Sequence, residues 1–283
     1  MAPRRSALRL TAALTAALAV LIAGCGGSTP RDPGTPATQP APSQDTGPKP
    51  GASEDTPSPA PGLRTGSSQA PGSAGWALPA GKVGFAALAT TDVTVLSAPA
   101  NKDVVALFPA TQRPGMPTAF LVGQRREQAG RHWFKVFMPR RPNESTGWVR
   151  DDQVRLVPLS HRVEVDLSER RLTLFQGDRL VRRILVGVGK PSTPTPTGRF
   201  FITIKLHPPE ISPVYGAWAL GLSGYSNVLD QFGTGNGQIA LHGNGTRSSI
   251  GSAVSNGCVR LDDASVIALA RLLPLGTPVT IRR

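Results

Sequence analysis

Two residues carry the chemistry in this sequence. Cys258 stands in SNGCVRL, a small-residue turn, and His242 precedes it by 16 positions at the end of the apolar run QIALH, followed by GNG. A thiol with an imidazole in reach is a nucleophile with a base: the ring lowers the thiol pKa and supplies an ion-paired thiolate. Gly257 removes the Cβ beside the sulfur, so the backbone N–H groups of Asn256, Gly257 and Cys258 can point at a developing oxyanion. Taken singly, a lone Cys is also a small core residue and a strand-end His a surface group. Their conjunction with the glycine turn favours chemistry. The four His are scattered between 132 and 242 and there are only two Cys. This argues against a metal site or a disulfide framework, and no cofactor is expected.

The elements that must position this pair are mostly strands. HRVEVDLSERRLTLFQGDRLVRRILVGVG alternates apolar and polar residues and predicts a three-stranded meander with turns at 168–170 and 176–178. PTPTGRFFITIK follows as a loop and a strand. LDDASVIALARLLP reads as a helix capped by Asp262 and stopped by Pro274, and GTPVTI as a closing strand. Upstream, VTVLSAP, ALFPA, AFLVGQ, HWFKVFMP and GWVRDDQVRLV are short β-rich runs separated by turn residues, which predicts a small β barrel or sandwich. Arg125, Arg126, Arg131, Arg140 and Arg141 in it could face an anionic polymer or simply water.

The N-terminus is an address. Arg4, Arg5 and Arg9 precede an apolar stretch that ends in Ile22-Ala23-Gly24-Cys25. The first part reads as a secretory signal; its end resembles the lipobox of bacterial lipoproteins, which implies cleavage before Cys25 and its lipidation. Residues 25–79 form a Pro/Ser/Thr/Gly tether too poor in large apolar residues to fold. The whole chain carries +13; with the three signal arginines removed and the tether at −1, the remaining +11 lies on residues 76–283. That charge suits an anionic partner, and the export signal makes nucleic acid an unsuitable one.

IALHGNG…SAVSNGCVRL resembles the signature of the YkuD-type L,D-transpeptidase catalytic domain, and PTPTGRFFI, YGAWALGLSG and the closing helix and strand match in order. WFKVFMPRRPNESTGWV, with Trp133 and Trp148, resembles a bacterial SH3-like module. The expected fold is mainly β: an SH3-like barrel followed by a YkuD-type β-sandwich with a short helix. The expected organisation is a signal peptide (1–24), the lipidated tether (25–79), the SH3-like module (80–158) and the catalytic domain (159–283). The resemblance implies acyl transfer on peptidoglycan stem peptides: Cys258 as nucleophile, His242 as base, the Gly243 carbonyl orienting the ring, and a 3→3 cross-link formed with release of D-alanine. It further implies Ser255, Arg260, Tyr215 and Trp218 as substrate-binding candidates; for Arg260 an ion pair with Asp262 or Asp263 is the alternative, and for Tyr215 and Trp218 core packing. Asn256 replaces the His usual at that position, which leaves its backbone N–H but no second imidazole. Carbapenem-type inhibitors are expected, with localisation on the outer face of the cell membrane, facing the wall. The alternatives are an L,D-carboxypeptidase or protein-to-wall attachment enzyme on the same fold, and a non-catalytic wall-binding lipoprotein.

Overall fold

A computed structural model describes residues 80–113, 115–209, 213–231, 235–244 and 247–283. The expected signal peptide, Cys25 and the tether lie outside the described residues. Among the described residues the fold is mainly β, with one α-helix, and no helix is long and apolar enough to cross a membrane.

The first module comprises β1 (Gly84–Ala89), β2 (Val93–Leu96), β3 (Val104–Phe108), β4 (Thr111–Arg113), β5 (Met116–Pro117), β6 (Ala119–Gln128), β7 (Arg131–Phe137), β8 (Thr146–Arg150) and β9 (Val154–Leu159). Seven of these form a sheet ordered β3-β2-β8-β7-β6-β1-β9, while β4 and β5 make a separate ribbon. Alternation directs Phe120, Val122, Phe134, Val136 and Val149 into its core. Trp133 and Trp148 stand on paired strands and are both buried. They are core residues, and their faces are not free to stack on a ligand. The arginines that could face a polymer or water are mostly occupied within the protein. Arg131 pairs with Asp152 at 3.0 Å, Arg125 contacts His132, Arg126 lies over Trp148, and Arg140 donates to the Val105 carbonyl.

The second module continues with no linker: β10 (His161–Asp166), β11 (Arg171–Gln176), β12 (Arg179–Leu185), β13 (Val188–Gly189), β14 (Gly198–Leu206), β15 (Ala219–Tyr225), β16 (Gln238–His242), β17 (Ala253–Ser255), β18 (Val259–Arg260), α1 (Asp263–Leu272) and β19 (Pro278–Arg282). Its main sheet runs β12-β11-β10-β19-β14-β15-β16-β18, with β13 paired to β17 alongside. The ladder is antiparallel except where β19 joins β10 and β18 joins β16. The second of these parallel pairings matters for function, because it lays the strand after Cys258 directly against the strand that ends on His242. The helix begins where Asp262 accepts a hydrogen bond from the Ser265 N–H at 2.9 Å, a side-chain cap for an otherwise orphaned donor. At its other end Lys205 donates to the carbonyls of Ala270 and Leu273. Val266, Leu269 and Ala270 seat the helix on the sheet core of Leu220, Leu241, Val259 and Leu261.

The two modules share packing. Phe201 of β14 is buried among Ala86, Leu121 and Leu159 of the first module. The loop between β7 and β8 then reaches across. Asn143 both donates to and accepts from the backbone of Tyr225, at 2.8 Å each, and Glu144 accepts from the Arg199 N–H at 2.9 Å. Gly276 permits the closest approach: a Cβ there would stand 2.3 Å from that of Ala86, and its φ of +83° already favours glycine.

Candidate active site

His242 and Cys258 line one cleft of about 410 Å³. His242 ends β16 and is 4% exposed. Its Nδ1 donates to the Gly243 carbonyl at 2.5 Å, which fixes the tautomer and leaves Nε2 as the basic nitrogen. Gly243 must lack a side chain: a Cβ would meet Asp263 Oδ1 at 2.1 Å. Asp263 in turn accepts from the Ala217 N–H, so the helix start, the loop before β15 and the His-Gly corner are tied together. The Tyr215 ring stands edge-on to the imidazole, with centroids 5.1 Å apart.

Cys258 lies between β17 and β18. Ser255, buried beneath this turn, holds it from inside: its hydroxyl donates to the Cys258 carbonyl at 2.6 Å and accepts from the Gly257 N–H at 3.1 Å. Thr193, from the Pro/Thr loop, donates to the Ser255 carbonyl and also reaches Asn256 Oδ1. Gly257 adopts φ +115°, a conformation only glycine takes easily, although a Cβ there would have room. The turn is therefore demanded by backbone geometry and braced by one hydroxyl.

Three expectations change at this point. Ser255 does not offer its hydroxyl to a substrate, because both of its bonds are internal; it braces the turn that carries Cys258. The Gly257 N–H is occupied by that same hydroxyl, which leaves the N–H groups of Asn256 and Cys258 as the oxyanion candidates. Trp218 is not on the cleft wall. Its ring packs on the sheet core and tilts against His207, 4.8 Å between centroids, because alternation along the approach to β15 turns it inward. Arg260 does line the cleft, and its Nε is buried without a partner. Asp262 and Asp263 are engaged by backbone N–H groups, and neither pairs with it.

The electrostatics also depart from the expected ion pair. Burial drives the His242 pKa down to about 4, helped by the positive charge of Arg260; the Gly243 carbonyl and Asp263 oppose this only in part. Burial likewise pushes the Cys258 thiol up from its ordinary value, against smaller opposing effects from the Ala240 backbone and Arg260. Near neutral pH both partners rest uncharged, and the sulfur is not hydrogen-bonded to the ring. No standing imidazolium–thiolate pair is expected from these two shifts. The Tyr215 hydroxyl is raised by burial and by its proximity to Cys258, so it stays protonated as a donor at the cleft edge. Among the described residues no three His, Cys, Asp or Glu side chains converge as metal ligands.

The L,D-transpeptidase catalytic-domain family matches residues 160–281. YkuD of Bacillus licheniformis is 35% identical over 147 residues, covering 50% of this chain and 81% of that protein. The chain belongs to the L,D-transpeptidase family. YkuD of Bacillus subtilis is 35% identical over 125 residues, 44% of this chain and 68% of its own length. Among solved structures, an L,D-transpeptidase from Mycobacterium smegmatis is 15% identical with a TM-score of 0.35, covering 58% of this chain and 99% of that one. The matched residues contain the whole described cleft except Arg113, which comes from the first module. Sequence reasoning missed Arg113, and it missed Thr193 and Asp263 as parts of the site. Thr193 sits in PSTPTPTG, whose clustering of Thr and Pro was a usable signal; Arg113 left none.

Proposed function

We propose that this L,D-transpeptidase forms 3→3 cross-links between peptidoglycan stem peptides through an acyl-enzyme on Cys258. The observation that carries the reading is the shared cleft: a thiol on a braced glycine turn, and an imidazole whose Nδ1 is occupied by the Gly243 carbonyl so that Nε2 is free. In the first half-reaction Cys258 Sγ attacks the carbonyl of the third stem residue while Nε2 takes its proton. The amide C–N bond breaks, the imidazolium returns the proton to the departing D-alanine amine, and a thioester remains. In the second, His242 deprotonates the side-chain amine of an acceptor stem. That amine displaces sulfur, and the proton returns to the thiol. The N–H groups of Asn256 and Cys258 are the donors to the oxyanion, and the amide side chain of Asn256 does not titrate, so it serves as neither acid nor base.

The same reading assigns residues 80–158 to an SH3-like module and Cys25 to a lipid anchor, with the head held on residues 25–79 at the outer face of the membrane. The lipobox-like sequence and the tether composition support this. Two or more acyl chains would suffice for stable anchoring. Carbapenems, which present a strained amide carbonyl, are the expected covalent inhibitors.

The test is mass spectrometry of muropeptides after incubating donor and acceptor stems with the purified protein. Dimers linked between two third-position residues, absent with Cys258→Ala, are expected. D-alanine release without dimers would make the protein a carboxypeptidase, and stems joined to a protein amine would make it an attachment enzyme.

A further inference from the structure

Arg113 is the last residue of β4, in the small ribbon that stands apart from the first module's sheet, yet it lines the same cleft as Cys258 and His242. The ribbon has a firm base. Thr118, fully buried, donates its N–H to the Ala110 carbonyl at 2.9 Å and its hydroxyl to the Pro109 carbonyl, and the Ala110 N–H is held by Asp92. Another part of the cleft lining, Ser226 and Leu229, is also held by the first module. Arg141 donates to the carbonyls of Ser226 and Leu229, at 2.7 and 2.9 Å, with its guanidinium over the Tyr225 ring.

Among the described residues the lining contains two guanidiniums, Arg113 and Arg260, and no carboxylate. Arg260 acts on the reacting pair, since its charge is felt by both His242 and Cys258. Arg113 is exposed, and among the described residues it has no carboxylate partner. A guanidinium at the rim of a peptide-sized cleft, with no counter-ion among the described residues, suits a planar two-oxygen anion, which it can grip with parallel N–H bonds.

We infer that the first module completes the substrate site, with Arg113 gripping a stem-peptide carboxylate away from the bond that is cut. The inference rests on the proposed peptidoglycan reaction and adds to it: the module is a part of the specificity apparatus, which a purely wall-adhering module would not be. Arg113 is a binding residue in this account and takes no part in proton transfer.

The experiment uses the full chain with two synthetic donor tetrapeptides: one with free side carboxylates, and one with the same carboxylates amidated. D-alanine release gives kcat and KM separately. Arg113→Ala should raise KM for the free-carboxylate peptide about tenfold, as for loss of one exposed charge-assisted contact, while kcat changes less than twofold. The amidated peptide should show the same KM with either protein, and Arg113→Lys should recover only part of the loss. An unchanged KM, or an equal rise for both peptides, would overturn the inference and leave the proposed reaction standing. Failure of the wild-type protein to release D-alanine from either peptide would remove the reaction and the inference together.

Discussion

The pH dependence of thiol acylation follows from how His242 is buried. Its pKa falls from 6.5 to about 4, chiefly through loss of water around the ring. A base must be neutral to accept a proton. At pH 5 an ordinary imidazole is about 3% neutral, whereas one titrating near 4 is about 90% neutral, a difference of about thirtyfold in competent enzyme. The assay is the rate of β-lactam chromophore loss with a carbapenem, measured in single turnover from pH 8 to pH 4. The rate at pH 5 should lie within twofold of that at pH 7 and fall with a midpoint near 4. The same shift acts on stability. The unfolded chain takes up the proton below its pKa of 6.5 and the folded chain does not until about 4, so stability is full above 6.5. It is then lost as the pH falls towards 4, by about 3 kcal/mol in all. An acylation midpoint near 6.5 would instead mean that water reaches the ring and that the pair can rest as imidazolium and thiolate.

Other perturbations test the scaffold around the pair. Ser255→Ala removes both internal bonds of the nucleophile turn; leaving a buried donor and acceptor unpaired should cost about 1–3 kcal/mol in urea unfolding and slow acylation at least tenfold. Gly276→Ala places a methyl against Ala86 in a left-handed backbone, and overpacking alone should cost about 1–3 kcal/mol; a melting temperature equal to wild type would show that the modules are not packed as described. Arg141→Ala should speed hydrogen exchange in the wall from Ser226 to Leu229 and raise KM for donor peptides, with little change at the distant β10–β12 meander.

What could be read ahead of the structure was local. His242 and Cys258 were legible because rare residue types sat beside glycines in short motifs, and the helix was legible because Asp262 and Pro274 mark its ends within 13 residues. The mainly β fold followed from alternation. The first strand, GFAALA, was missed: small residues with little strand preference give no alternation, and only its pairing with β6 and β9 makes it a strand. Arg113 and Arg141 could not be placed in the site, since their roles depend on how one module meets another. The direction of Trp218, the occupation of the Gly257 N–H and the neutral resting state of the pair all depend on burial and hydrogen bonds between chain segments that lie far apart in sequence.

In the proposed reaction Cys258 becomes the acylated residue with His242 as its base. The most direct measurement is peptide-level mass spectrometry after quenching the protein with a donor tetrapeptide. A tripeptidyl mass is expected on the peptide containing Cys258, absent in Cys258→Ala and formed far more slowly in His242→Ala. An acyl mass on any other residue, or one that persists in Cys258→Ala, would contradict it.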